Sequence, residues 1–316
     1  MQKIRLGILG AGGKMGKMLQ EAALRSPETF EIAALFEVEG SALLGKNIEP
    51  INVKIQNFSA LTVENLNCVI DFTRSEGTLK HLAICKAQKI PMVIGPTGFD
   101  DNGKAAITEA AKTIPIVFAP NMAMGVNVVF KLLKEAAKVL NGFDVEIVEA
   151  HHRLKVDSPS GTALKMGEIV ADALGRNLKD CAIFGREGNL GVRDDKTIAF
   201  STIRGGDIVG EHTVMFCGIG ERVEIAHKGG SRMPYAEGAM RAALFLQGKM
   251  AGVNVSQSDG APGAGINIQI RGANSFTTST EPLYVVDGVP YDGEISAIST
   301  SDIESMTVLK DAASNA

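Results

Sequence analysis

The chain has 316 residues, 45 % hydrophobic and 22 % charged, with a formal net charge of −4. It is too apolar for global disorder and too acidic for a broad nucleic-acid surface. No stretch approaches the roughly 20 apolar residues of a membrane span, and Cys68, Cys85, Cys181 and Cys217 form no C-x-x-C pair, so reduced thiols in a cytoplasmic protein are expected.

The first 120 residues alternate short apolar runs with amphipathic stretches. IRLGIL (4–9), EIAALF (31–36), NCVIDF (67–72), PMVIG (91–95) and IPIVFA (114–119) read as buried parallel strands. Helical patterns at Lys14–Arg25, Glu76–Gln88 and Gly103–Lys112 separate them. This alternation predicts a Rossmann-like, doubly wound parallel sheet.

The first strand runs directly into Gly10-Ala11-Gly12-Gly13-Lys14-Met15-Gly16 and then a helix. Glycines there allow a tight turn and close approach of a pyrophosphate, whose charge meets the helix N-terminal N–H groups. Glu37 ends the next strand, where a carboxylate accepts ribose hydroxyls. The spacing is G-x-x-G-x-x-G rather than the stricter G-x-G-x-x-G, because Met15 replaces a glycine. Two later strand ends, Gly95-Pro96-Thr97-Gly98 and Ala119-Pro120-Asn121-Met122, face the same crevice; Arg74, after the third strand, is either a phosphate contact or a surface residue.

Beyond residue 122 the rhythm changes. A helix near 125–140 precedes VEIVEAHH, and a second helix near 162–174 precedes three strand-like runs at 197–204, 207–216 and 221–228. Val223 and Ile225 alternate with Arg222 and Glu224, the period of a half-buried strand. An α+β unit with a largely antiparallel or mixed sheet is expected, followed by a helix at Tyr235–Leu246 that returns to the first unit.

The densest chemistry lies in Glu149-Ala-His151-His152-Arg153-Leu-Lys155-Val-Asp157-Ser-Pro159-Ser160-Gly161-Thr162. Two histidines, an arginine and a lysine within five residues suit a dicarboxylate. Ser160 is the expected N-cap, leaving Gly161 and Thr162 N–H groups for an anion, and Gly175 suits the far end of that helix. His81, His212 and His227 lack such company and read as structural. Adjacent His151 and His152 lack the spacing of metal ligands, so no metal is expected.

GAGGKMG, Glu37, DFTR, IGPTGF, APNMAMGVN, EAHHRLKVDSPSGTA and GDIVGEHTVMF, in that order over about residues 1–248, together resemble dihydrodipicolinate reductase. The resemblance implies NAD(P)H-dependent reduction of 4-hydroxy-tetrahydrodipicolinate to tetrahydrodipicolinate with loss of water, in a cytoplasmic homotetramer. It implies a proton donor/acceptor at His151, a second proton donor at Lys155 and a substrate contact at His152. Substrate carboxylate would be held by Gly161 and Thr162, beside Ser160, and the cofactor lined by residues 10–15, Glu37, 95–97 and 119–122. Many members carry Arg after the strand-end acid, where this chain has Val38; the family's usual GTTG reads Gly-Pro96-Thr-Gly here. Val38 favours NADH over NADPH, and Pro96 removes an amide donor.

Composition shifts near residue 248. Residues 1–248 hold 29 Lys+Arg against 28 Asp+Glu, whereas 249–316 hold 3 against 8, so the tail carries the whole deficit. Its IRGANS, EPLYVVDGVP and DIESMTVLKDA segments resemble the plug of starch-utilisation-type TonB-dependent outer-membrane receptors. The N-terminus lacks the apolar core of a signal peptide, so a chimera is the simplest account and transport by the tail is not expected. The expected division is a dinucleotide-binding domain at 1–121 and 233–248, a substrate and tetramerisation domain at 122–232, and the plug-like segment. A rival reading is a catalytically silent dinucleotide-binding regulator with the tail as interaction module; the intact His151, His152, Lys155 and Ser160–Thr162 set argues against it.

Overall fold

The computed structural model describes residues 3–60 and 66–248, together with the backbone of 254–256, 284–286 and 289–291. The chain opens with β1 (Ile4–Leu9), α1 (Lys14–Leu24) and β2 (Phe30–Glu37), followed by β3 (Asn47–Ile48), β4 (Val53–Asn57) and a 3-10 turn at Phe58–Ala60. Next come β5 (Cys68–Asp71), α2 (Ser75–Gln88), β6 (Met92–Ile94), α3 (Asp101–Ala111) and β7 (Ile116–Phe118). The second part holds α4 (Met124–Val139), β8 (Asp144–His151), α5 (Gly161–Ala173), α6 (Leu178–Cys181) and β9 (Ala182–Phe184). It continues through β10 (Ile198–Arg204), β11 (Gly210–Cys217), β12 (Arg222–Gly229) and α7 (Met233–Phe245). Three short strands follow: β13 (Asn254–Ser256), β14 (Tyr284–Val286) and β15 (Val289–Tyr291).

The first sheet has strand order β13-β7-β6-β5-β1-β2-β4-β3 and is parallel except for the β3–β4 pair at its edge. Strands such as CVID and MVI are buried throughout because helices cover both faces. Leu19 of α1 and Ala236, Ala239, Met240 and Ala243 of α7 share a core with Leu6 and Ile8. Leu82 and Cys85 of α2 and Ile107 and Ala110 of α3 share the opposite core with Val69, Met92 and Ile94. The sequence pattern is therefore met as a doubly wound sheet, and α7 does return to it. The small pieces β3, β4, α6 and β9 were not anticipated; each has five residues or fewer, too short for a period to show.

The second sheet has order β12-β11-β8-β10-β9 and is mixed: β8 and β9 run parallel to β10, while β11 is antiparallel to β8 and β12. Its apolar face holds Ile147, Phe200, Val214 and Phe216 against Phe130 and Leu133 of α4 and Met166 and Val170 of α5. Helix α5 ends as the sequence suggests. Gly175 adopts φ +65°, the Arg176 N–H reaches the Ala171 carbonyl at 2.8 Å and the Gly175 N–H that of Asp172 at 3.1 Å.

The compositional break at 248 does not coincide with the end of the first sheet. Strand β13 pairs in parallel with β7, Asn254 opposite Ile116 through Ser256 opposite Phe118, and so adds an edge strand. Beyond it, β14 and β15 pair antiparallel with Tyr284 opposite Tyr291. The rest of the plug-like reading lies outside the described residues.

The βα turn after β1 depends on two glycines. Gly10 takes φ +68°, and a Cβ on Gly16 would lie 2.1 Å from the Gly10 carbonyl oxygen and 2.8 Å from the Ala11 Cα. Both obstacles are backbone, so only a glycine lets α1 start this close to the strand. Gly16→Ala should therefore push α1 off β1 and destabilise the chain by about 1–3 kcal/mol, the usual cost of overpacking. Denaturant unfolding of the two proteins measures it, and equal midpoints would refute the close-approach account.

Candidate functional site

Helix α1 begins with Gly13 as a N-cap that makes no side-chain capping bond, leaving its first N–H groups for an anion. Glu37, the last residue of β2, turns its carboxylate toward this loop and accepts the Gly12 N–H at 2.8 Å. The Gly10–Lys14 turn and Glu37 thus stand together at the carboxyl ends of adjacent parallel strands, where open α/β sheets bind ligands. The Ala11, Gly12 and Gly13 N–H groups are taken up by Phe36, Glu37 and Gly10, so the start of α1 supplies the N–H groups that fit a pyrophosphate and Glu37 the acceptor that fits a ribose. Arg74 is exposed and precedes α2 as its N-cap residue.

A cavity of about 280 Å³ opens between the two sheets. The cofactor side contributes Met15, Gly95, Pro96, Thr97, Pro120, Asn121 and Met122. From the second part come His151 at the end of β8, His152 and Lys155 in the loop after it, and Ser160, Gly161 and Thr162 at the start of α5. Gly10–Lys14, Glu37, Arg74 and Ala119 do not line it. The two sides are bonded, since the Asn121 Nδ2 donates to Thr162 Oγ1 at 3.1 Å with both residues buried.

Ser160 caps α5 as expected, its hydroxyl accepting the Ala163 N–H at 3.2 Å. Behind the cavity wall lies Glu149, only 1 % exposed. Its carboxylate accepts hydrogen bonds from His151 Nδ1 (2.6 Å), from Arg204 (2.7 and 2.8 Å) and from the Ser160 N–H (3.0 Å). Burial alone would raise this carboxyl, but the bonds from His151, Arg204 and the Ser160 N–H outweigh it and hold it at about 2. The carboxylate is therefore charged throughout the physiological range.

His152 is held below its ordinary value, first by burial and then by the cations Lys14, Arg232 and Lys155 and by His151. Lys155 itself pairs with Asp157 at 2.8 Å. The cavity wall is thus rich in positive charge, as an anionic substrate requires.

Sequence reasoning missed Phe72, Val209, His212, Arg232 and Tyr235, which also line the cavity. Val209 and His212 lie inside the GDIVGEH motif, which is the signal that would have found them. His212, read as structural, is buried and bonded as such a residue would be, its Nε2 to Ser160 Oγ at 2.9 Å, but it also lines the cavity, with its ring edge-on to His151 at 5.1 Å. By contrast His81 bonds the buried Asp71 at 2.8 Å, and His227 sits on β12 across from His212, outside the cavity lining.

Residues 4–122 match the family described as dihydrodipicolinate reductase, N-terminus, and residues 125–258 that described as dihydrodipicolinate reductase, C-terminus. Residues 221–316 match the TonB-dependent receptor plug domain, overlapping the second match at 221–258, where the structure has β12, α7 and β13. The 4-hydroxy-tetrahydrodipicolinate reductase of Dechloromonas aromatica is 59 % identical over 259 residues, covering 80 % of this chain and 96 % of that relative. The enzyme of the same name from Aromatoleum aromaticum is 54 % identical, covering 80 % and 94 %. A dipicolinate-bound dihydrodipicolinate reductase from Paenisporosarcina sp. TG-14 shares the fold, with a TM-score of 0.61 at 24 % identity over 78 % of this chain and 95 % of that one. The similarity, placed at 1–248 from motifs, thus extends to 258 and takes in β13.

His212 makes the site acid-sensitive. Burial, then the neighbouring His151, pushes it down to about 3, so it is neutral in the folded chain. An unfolded histidine titrates near 6.5, so between about pH 6.5 and 3 the unfolded state binds the extra proton and stability falls as pH falls. His212→Gln should flatten that limb by about one proton, roughly 1.4 kcal/mol per pH unit. Denaturant melts at stepped pH read the slope; an unchanged slope would show that His212 is not buried neutral.

Proposed function

The chain belongs to the dihydrodipicolinate reductase family, and from that premise we propose that His151 and Lys155 handle the protons of its reaction. The reaction is the NAD(P)H-dependent reduction of 4-hydroxy-tetrahydrodipicolinate to tetrahydrodipicolinate with loss of water, in lysine and diaminopimelate biosynthesis. One observation carries the residue roles. His151, His152, Lys155 and the start of α5 share one cavity with Met15, Thr97 and Met122 of the cofactor side.

When bound, the reduced nicotinamide supplies a hydride to a conjugated imine. Gly161 and Thr162 N–H groups at the start of α5 hold one substrate carboxylate, and His152 contacts the same molecule. The electron density that arrives with the hydride needs a proton at the neighbouring atom, and His151 Nε2 faces the cavity to give it. Lys155 Nζ is the second donor. Residues 10–15, Glu37, 95–97 and 119–122 hold the dinucleotide, with Arg74 at its rim; Pro96 leaves one backbone N–H fewer for it than the usual threonine would.

The division into a cofactor part (1–121 and 233–248), a substrate and assembly part (122–232) and a plug-like segment (249–316) goes with this reading. We also propose a homotetramer built through the second sheet. Its face opposite the helices carries Val148, Thr213 and Met215, and Ile203 there is 50 % exposed. A cytoplasmic location goes with the free cysteines Cys68, Cys85, Cys181 and Cys217.

Lys155→Ala should lower kcat by about 10²–10⁴-fold, the usual worth of a general acid, while NADH affinity stays nearly constant. NADH oxidation with pyruvate, aspartate semialdehyde and the preceding synthase reads the first, and fluorescence titration the second. Wild-type turnover in this variant would remove Lys155 from the reaction.

We propose further that NADH is used at least as well as NADPH. Glu37 accepts the ribose hydroxyls of NADH but opposes a 2′-phosphate, and the exposed Val38 beside it has no charge or donor to offset that. An arginine at this position forms charge-assisted bonds worth about 1.5–3 kcal/mol. Val38→Arg should therefore raise kcat/KM for NADPH roughly 10–100-fold, well above any gain for NADH. A strong native preference for NADPH, with no selective gain in Val38→Arg, would refute the assignment.

A further inference from the structure

The proton-handling reading leaves open what decides which nitrogen of His151 faces the substrate. Strands β8 and β10 run parallel with Thr202 beside Glu149 and Arg204 beside His151, so Arg204 reaches back along the sheet to the Glu149 carboxylate. It binds that carboxylate through two nitrogens, Nη1 to Oε2 at 2.8 Å and Nη2 to Oε1 at 2.7 Å. Such a fork is the geometry that holds a buried carboxylate in its charged state.

A charged carboxylate only accepts hydrogen bonds. The 2.6 Å contact from His151 Nδ1 to Glu149 Oε2 therefore requires the hydrogen on Nδ1. Nε2 is then the nitrogen left for the substrate. Its surroundings agree: a Cβ on Gly210 would come within 3.1 Å of His151 Nε2, so the glycine keeps that edge clear. His212, two residues further along the same strand, meets the ring edge-on at 5.1 Å.

Two further bonds carry the same constraint outward. Glu149 Oε1 accepts the Ser160 N–H, which fixes the start of α5 where the substrate carboxylate is to sit. Arg204 Nη2 also donates to the Asp157 carbonyl at 2.7 Å, anchoring the loop that carries Lys155.

We propose that Glu149, paired with Arg204, is the positioning residue of this reaction: it selects the Nδ1–H form of His151, aims Nε2 at the substrate and keeps both proton donors and the carboxylate anchor in one register. The proposal rests on His151 as a proton donor. The donor is the doubly protonated ring: its Nε2 proton goes to the substrate, the ring left behind is the neutral Nδ1–H tautomer still bonded to Glu149, and solvent returns a proton to Nε2.

The test uses the full chain. Glu149→Gln keeps the shape and removes the charge; kcat should fall by about 10²-fold or more, with the substrate KM and NADH affinity within about threefold of wild type. Spectra of ¹⁵N-histidine-labelled protein, taken at a pH where the ring is neutral, should show the Nδ1–H tautomer of His151 in the wild type and a mixture of tautomers in the variant. Glu149→Gln/Arg204→Gln removes both charges and carries the test where the single variant does not fold. Slow turnover in the double variant supports positioning by the carboxylate; wild-type turnover would mean that Glu149 merely neutralises Arg204, and overturns the proposal. His151→Gln separates the two levels. Wild-type turnover there overturns the proton-donor reading and the proposal together, whereas a slow His151→Gln beside a wild-type Glu149→Gln overturns the proposal alone.

Discussion

A carboxylate with almost no contact with water, Glu149, organises the substrate side of this protein. An unpaired charge in such a place costs several kcal/mol, so the surrounding chain is obliged to supply partners. It draws them from three separate segments: the guanidinium from the end of β10, the imidazole from the end of β8 and a backbone N–H from the start of α5. Satisfying one buried charge thus converges the elements that must meet for chemistry. Removing a single partner from a set of this kind is far more costly than never having built it, which ties the site's geometry to the stability of the fold.

The cofactor side is built on the opposite plan. There the crevice is shaped by backbone at glycines and at a helix start, and Glu37 sits at the end of its strand with its carboxylate on the Gly12 N–H. A site made of main chain tolerates change in the side chains around it, whereas the turn after β1 admits only glycine at Gly16. The two plans join where Asn121 meets Thr162, a buried bond between the end of the parallel sheet and the start of α5.

The first sheet was legible because its strands are buried on both faces and read as unbroken apolar runs; IRLGIL was bounded to the residue. The core of the site was legible because His151, His152, Lys155 and Ser160–Thr162 lie within twelve consecutive positions. What escaped was everything supplied from a distance. Arg204 and His212 lie more than fifty residues beyond Glu149 and come beside it only through strand pairing. His212 alternates with half-buried neighbours on β11 as any buried strand residue does, so its type carried no mark of a site. Arg232 and Tyr235 arrive with α7, whose sequence reads only as a helix. The break at 248 was a statement about composition, and β13 shows that strand pairing does not follow it.

The position of α7 has a consequence for how the chain assembles. The first sheet takes its core from both ends of the described chain, with α7 packed against α1 and β13 against β7, while the second sheet is one uninterrupted segment between them. The second sheet can complete all of its strand pairings as soon as residue 229 is available. The first part cannot close until α7 arrives, more than two hundred residues after β1, and loop closure over that length must precede the contacts that reward it. During synthesis the segment made first is therefore the last to finish folding. Until then the face of β1 destined for Ala236 and Met240 stays uncovered, which makes the dinucleotide half, for all its early place in the sequence, the half that waits.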